Sequence, residues 1–147
     1  MDIASLEAKN ISYYTAVGNK AMVQGGKVSG GEWIDTIRFR DWLKTEIQSK
    51  VLNLFLGLSK VPFTDQGIAL VQNAVIDALE EGVRAGGIVQ EASSEDGEAT
   101  QSYTVTVPRA ADLDAATRKS RKLTGVTWSA QLAGALIAAK IGGTLNY

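Results

Sequence analysis

Three carboxylates, Glu32, Asp35 and Asp41, fall within one ten-residue stretch. A carboxylate pair can serve as proton donor and acceptor, and a trio can hold a hard cation. These three lack the spacing of a calcium loop, and Arg38 and Arg40 stand among them. Ion pairing and helix capping are therefore the expected roles. A second constellation, Arg118-Lys119-Ser120-Arg121-Lys122, places four cations in five residues. Such a cluster can contact phosphate, form a charged contact with another subunit, or simply be the solvated end of a helix. The pairs Gly25-Gly26, Gly30-Gly31 and Gly86-Gly87 match neither the dinucleotide fingerprint nor the Walker pattern, so they are turns. Trp33, Trp42 and Trp128 are expected as core or interface anchors. Tyr13 and Tyr14 are adjacent on one strand, so one must point outward, where it can meet a partner.

Composition narrows the chemistry further. The chain of 147 residues has neither cysteine nor histidine. That removes disulfides, thiolate nucleophiles, imidazole bases, and cysteine or histidine metal ligands. No cofactor or metal is expected, and an enzyme would have to work through Glu32, Asp35 or Tyr13. Fifteen basic against sixteen acidic residues give a net charge of −1, which supplies no field for nucleic acid. A charge so near zero also leaves a subunit free to assemble with its own kind. No apolar run reaches about 18 residues, and no leader pattern opens the chain, so membrane insertion is not expected. The length fits a single domain over residues 1–147.

The elements follow from periodicity. Residues 3–9 read as a short helical turn, and Ile11–Val17 as a strand. Ala21–Gln24 and Lys27–Val28 are extended on either side of a glycine break. A long helix is expected over Thr36–Leu56, capped by Asp35 or Thr36, with Leu43, Ile47, Val51, Leu54 and Leu58 as its stripe. Leu52 and Leu56 lie opposite that stripe, so the second half must be covered from several directions, within the domain or by a neighbour. After extended Val61–Phe63, Thr64 caps a second helix with Asp65 in its first turn. Ile68, Val71, Val75, Leu79 and Val83 form its stripe, and Gly86 ends it. Ile88–Gln90 and Tyr103–Val107 read as strands joined by an exposed loop over Ser93–Gln101, with the acidic stretch Glu91–Glu98 outward. Asp112–Lys122 reads as a third, short helix. Val126–Leu132 alternates, and a nearly unbroken apolar run follows Gly134, giving two closing strands. The fold class is α/β in the α+β sense: a small mixed sheet, two long helices packed on it, a short third helix and a C-terminal β-hairpin or arm. An apolar strand at the end of a chain must be paired or covered, within the chain or across chains.

The order of four segments resembles the contractile phage tail sheath family. The first is Lys9-Asn10-Ile11-Ser12-Tyr13-Tyr14-Thr15 with Val17-Gly18. The second is Ser29-Gly30-Gly31-Glu32-Trp33-Ile34-Asp35 leading to Ile37–Leu43. The third is Val61-Pro62-Phe63-Thr64-Asp65-Gln66-Gly67-Ile68. The last runs from Leu123-Thr124-Gly125-Val126-Thr127-Trp128 through Leu132–Leu136 to Ile141-Gly142-Gly143-Thr144-Leu145. The resemblance spans about Ser5 to Tyr147 and is to the C-terminal, tube-proximal domain of proteins that are much longer. The chain is accordingly expected to be a fragment or a minimal sheath. It departs from the family near Ile137, where a histidine usually follows the Leu-Ala-Gly-Ala stretch.

What the resemblance implies is mechanical. Sheath subunits form a helical sleeve around a tail tube, exchange strands through their terminal arms, and contract to drive the tube through the host envelope. The implied partners are copies of the same chain, the tube protein, and baseplate and tail terminator proteins. The implied location is the virion tail, after assembly in the host cytoplasm. The inter-subunit strand is expected at Ala135, Leu136, Ile137, Ala139, Ile141, Leu145 and Tyr147, with Gly134 as its turn and Gly142 and Gly143 as its bend. Arg38, Arg40 and Lys44 are candidate tube contacts, and Arg118, Lys119, Arg121 and Lys122 candidate neighbour contacts. The competing reading is another tail or baseplate protein that closes into rings.

Overall fold

The computed structural model describes residues 2–90, 92–93, 99–100 and 102–136. Asp2 accepts a hydrogen bond from the Ser5 amide and starts α1, Ile3–Ala8. A β-ribbon follows, with β1 (Tyr13–Val17) antiparallel to β2 (Lys20–Gln24). Two long helices come next, α2 over Ile34–Gly57 and α3 over Asp65–Arg84. Short β3 (Ala92–Ser93) pairs with β4 (Ala99–Thr100). Then come β5 (Tyr103–Thr106), a 3-10 turn at Ala110–Asp112, α4 (Ala115–Ser120) and β6 (Thr127–Ala130).

The core is the α2–α3 hairpin. Leu43 of α2 meets Val75 and Leu79 of α3, and Ile88 closes the cluster from the following segment. The α3 stripe read from the sequence is its buried face: Ile68, Val71, Val75 and Leu79 are all buried. Thr64 caps α3 by accepting the Gly67 amide at 3.3 Å, and Gly86 ends it at φ +75°. Two glycines set how closely the chain packs. A Cβ at Gly67 would collide with the Pro62 carbonyl, and one at Gly87 with the Phe39 ring.

The class is α+β, with the strands distributed over three two-stranded antiparallel ribbons among the described residues. The partner of β5 is β6, in the register Tyr103↔Ala130 to Thr106↔Thr127. The same C-terminal segment then serves Ile88–Gln90: Val89 donates to the Gln131 carbonyl, and Ala133 donates to Gly87. So 127–133 lies between the two segments that the sequence reading joined directly. Long-range pairing of this kind leaves no local periodicity.

Helix ends also differ from the sequence reading. Trp33, not Asp35 or Thr36, is the N-cap of α2, and no side chain caps it. The helix starts two residues early because the Ile34 amide is already satisfied by the Gly26 carbonyl at 2.8 Å. The third helix is shorter than Asp112–Lys122. Asp114 caps it through the Thr117 amide, and Arg121 ends it in the left-handed region at φ +55°.

Candidate assembly surfaces

Among the described side chains from Asp2 to Thr36, none is buried. The ribbon β1–β2 explains why. Opposed residues of an antiparallel pair project to the same face, so Tyr14 with Val23 and Ala16 with Ala21 form one apolar side. Tyr14 is 75% exposed and Val23 67%. No third strand pairs with either edge among the described residues. Polar ties hold the other side: the Tyr13 hydroxyl donates to Glu7 Oε1 at 2.6 Å, and the Gly26 amide donates to Ser12 Oγ at 3.2 Å. The bond to Glu7 raises the Tyr13 phenol above its ordinary pKa. Lys27 lies over the Trp33 ring at 4.9 Å, closing a cleft of about 240 Å³ beside α1. Tyr14 is thus the outward tyrosine of the pair, as strand geometry required.

A second open surface is the C-terminal half of α2. Leu52, Phe55, Leu56 and Leu58 are all exposed, Leu56 at 76%. That half is apolar on nearly every side, and α3 covers one of them. Beside it runs a small groove lined by Phe55, Val61, Phe63, Ile68 and Arg121. The three tryptophans lie at surfaces and not in the core, between 38% and 44% exposed.

The carboxylates of the first constellation do not come together as a site. Asp35 occupies the first turn of α2, where its charge suits the helix N-terminus. The expected ion pairs with Arg38 and Arg40 do not form: the ion pairs among the described residues are Lys50–Glu46 and Arg84–Glu81. Exposed side chains one turn from one another gain little from pairing, so geometry does not enforce it.

The cationic candidates divide. Arg38, Arg40 and Lys44 are all exposed on α2. Arg40 and Lys44 are one turn apart and share a face; Arg38 precedes Arg40 by two residues and projects to the other side. Arg118, Lys119, Arg121 and Lys122 are exposed together at the end of α4. Of the C-terminal candidates, Gly134, Ala135 and Leu136 follow the segment paired with Gly87–Val89, and Leu136 is 95% exposed. Ile137, Ala139, Ile141, Gly142, Gly143, Leu145 and Tyr147 lie outside the described residues, as does the acidic stretch between Ser93 and Ala99. The apolar face of the ribbon is a surface that sequence reading missed. The alternation of Tyr14 and Ala16 was its signal, but Val23 had to be placed opposite Tyr14 before the apolar face emerged.

Residues 34–145 match the family model described as E217 tail sheath protein gp31-like, C-terminal domain. The chain belongs to this tail sheath family. It is therefore a virion structural protein of the contractile tail class, and the family is a structural one. The match begins at Ile34, the first residue of α2, so the core hairpin and the β5–β6 ribbon lie within it and the β1–β2 ribbon precedes it. Comparison with curated proteins returns no match.

Proposed function

We propose that this chain is a sheath subunit that polymerises into a helical sleeve around a tail tube and contracts to drive the tube through the host envelope. The family match supports the reading, and one structural observation carries it. Among the described residues, the β1–β2 ribbon has an unburied apolar face and no third strand at either edge. A two-stranded ribbon alone is marginal in water, and an open edge is a template for a further strand. The donor is the C-terminal strand Ala135–Tyr147 of a neighbouring copy, turned at Gly134 and bent at Gly142 and Gly143. Its alternate apolar residues Ile137, Ala139 and Ile141 would extend the Tyr14–Val23 face, and Leu136 would project to the other.

Strand addition relies on main-chain hydrogen bonds, so rigid bodies can swing while the strand keeps them linked. A contact between two different patches does not close on itself and generates a helical array. The tube-facing surface is the Arg40–Lys44 side of α2, and Arg38, on the opposite side, is not part of it. Baseplate and tail terminator proteins bound the sleeve at its ends, and assembly takes place in the host cytoplasm before the tail is complete.

Deleting residues 135–147 tests the donor. Electron microscopy of the full chain, alone and with the tube protein, is expected to show hollow helical tubes, and the deleted chain none. Tubes of normal length after the deletion would overturn strand addition. Closed rings from the full chain would move it to a baseplate or adaptor role.

A further inference from the structure

The net charge of −1 conceals a separation of sign along α3. At its N-terminal end, Arg121 lines the apolar groove with Phe55, Phe63 and Ile68. Arg118, Lys119 and Lys122 adjoin it, and none of the four has an ion-pair partner among the described residues. Asp114, which accepts the Thr117 amide at 2.6 Å and feels the Arg118 charge, and Asp65, which accepts the Ala110 amide at 2.7 Å, stand nearby, and the four cations outnumber these two carboxylates. Arg121 also holds a left-handed backbone, φ +55°, that glycine adopts more readily.

The other end of α3 has the opposite sign. Glu80 and Arg84 line an open groove with Val83, Gln90 and Tyr103, and Asp77 is exposed one turn before Glu80. Arg84 is taken by Glu81 at 3.1 Å, which leaves Asp77 and Glu80 as the net charge. The two grooves are separated by about 25 Å, the length of Gly67–Arg84 at 1.5 Å per residue. The macrodipole of α3, positive at its N-terminus, runs in the same sense.

We infer that these two ends dock on one another in successive copies of this chain, the Arg118–Lys122 cluster and its apolar groove receiving the Asp77–Glu80 face of the next subunit. The inference rests on the sheath reading above and adds to strand addition a separate contact of different chemistry. Charge complementarity names the occupant: the surface that fits the cationic end is the anionic end of the same molecule. The two patches differ, so the contact is head-to-tail and open. It is also breakable, because exposed charges are screened by salt whereas a paired strand is not. A subunit can therefore leave one neighbour's charged face and stay tied by its strand.

Reversal variants test it. Arg118→Glu with Lys119→Glu and Lys122→Glu makes both ends acidic; Asp77→Lys with Glu80→Lys makes both basic. Each variant alone is expected to associate at least about tenfold more weakly in sedimentation, about 1.4 kcal/mol. The equimolar mixture is expected to regain association. Wild-type association should weaken as salt rises from about 0.1 to about 1 M, which shortens the screening length from about 10 to about 3 Å. Because Glu80 accepts from the Tyr103 hydroxyl, Asp77→Lys alone serves as the gentler acidic-end variant. Arg121→Gly keeps the backbone turn and removes the charge, so it should weaken association while leaving thermal stability the same or higher. Variants that assemble like the wild type would overturn this docking and leave the sheath reading intact. So would a loss that mixing does not rescue. A wild-type chain that associates at no salt concentration, with or without the tube protein, would overturn both.

Discussion

The α2–α3 core and the β1–β2 ribbon are stabilised in opposite ways. The core buries Leu43, Val75, Leu79 and Ile88 against one another, and Leu79 is wholly inaccessible. The ribbon, among its described side chains, buries nothing, and hydrogen bonds such as Tyr13 to Glu7 hold it to α1. Burial of apolar area is the main favourable term in folding, while an exposed hydrogen bond contributes little net. Among the described residues the core therefore supplies the burial, and the ribbon adds apolar contacts once something covers Tyr14 and Val23. A subunit that must assemble keeps part of its hydrophobic surface for its neighbours.

Substitutions on each side sharpen the contrast. Leu79→Ala should have the largest effect, lowering stability by about 2–5 kcal/mol in denaturant unfolding. Gly67→Ala comes next, at about 1–3 kcal/mol, because its Cβ has no room against the Pro62 carbonyl. Tyr14→Ser with Val23→Ser should change the stability of the isolated chain by less than about 1 kcal/mol, the scale of an exposed cross-strand pair. The same double change should abolish polymers in the microscope. Equal unfolding losses from Leu79→Ala and the ribbon pair would break the contrast.

The smallest effect is expected at α4. The Thr117 hydrogen bond holds the Asp114 carboxyl below its ordinary pKa of 3.8. A depressed carboxylate adds stability that is present above the unfolded value and lost as pH falls through the folded one. The protection factor of the Thr117 amide, its exchange relative to the intrinsic rate at each pH, should therefore fall below about pH 4 in the wild type. Asp114→Asn should flatten that dependence, since asparagine still caps but does not titrate in this range. The change should stay within α4 and leave the core amides as they were.

Local chemistry explains what sequence reading captured. The α3 stripe, the Thr64 cap and the Gly86 stop all depend on neighbours a few residues away, and each stands where the pattern placed it. The alternation of Tyr103 and Val105 against Thr104 and Thr106 likewise gives the half-buried face of β5. Sequence reading erred where a distant partner decides. Gly26 supplies the carbonyl that starts α2 at Ile34, and Gln131 bonds both Ser102 and Val89 across two segments. The proposed assembly surfaces follow the same rule. The apolar excess of Leu52 and Leu56 was visible in the helical pattern. The face shared by Tyr14 and Val23, and the opposed charge at the two ends of α3, required the fold.

Hydrogen exchange on the full chain, free and polymerised, tests strand addition at β1–β2. Amides of Tyr13–Gln24 should exchange quickly in the free chain while those around Val75 and Leu79 are protected, and polymerisation should slow the ribbon's exchange. Ribbon amides that stay equally fast in the polymer would contradict strand addition at β1–β2.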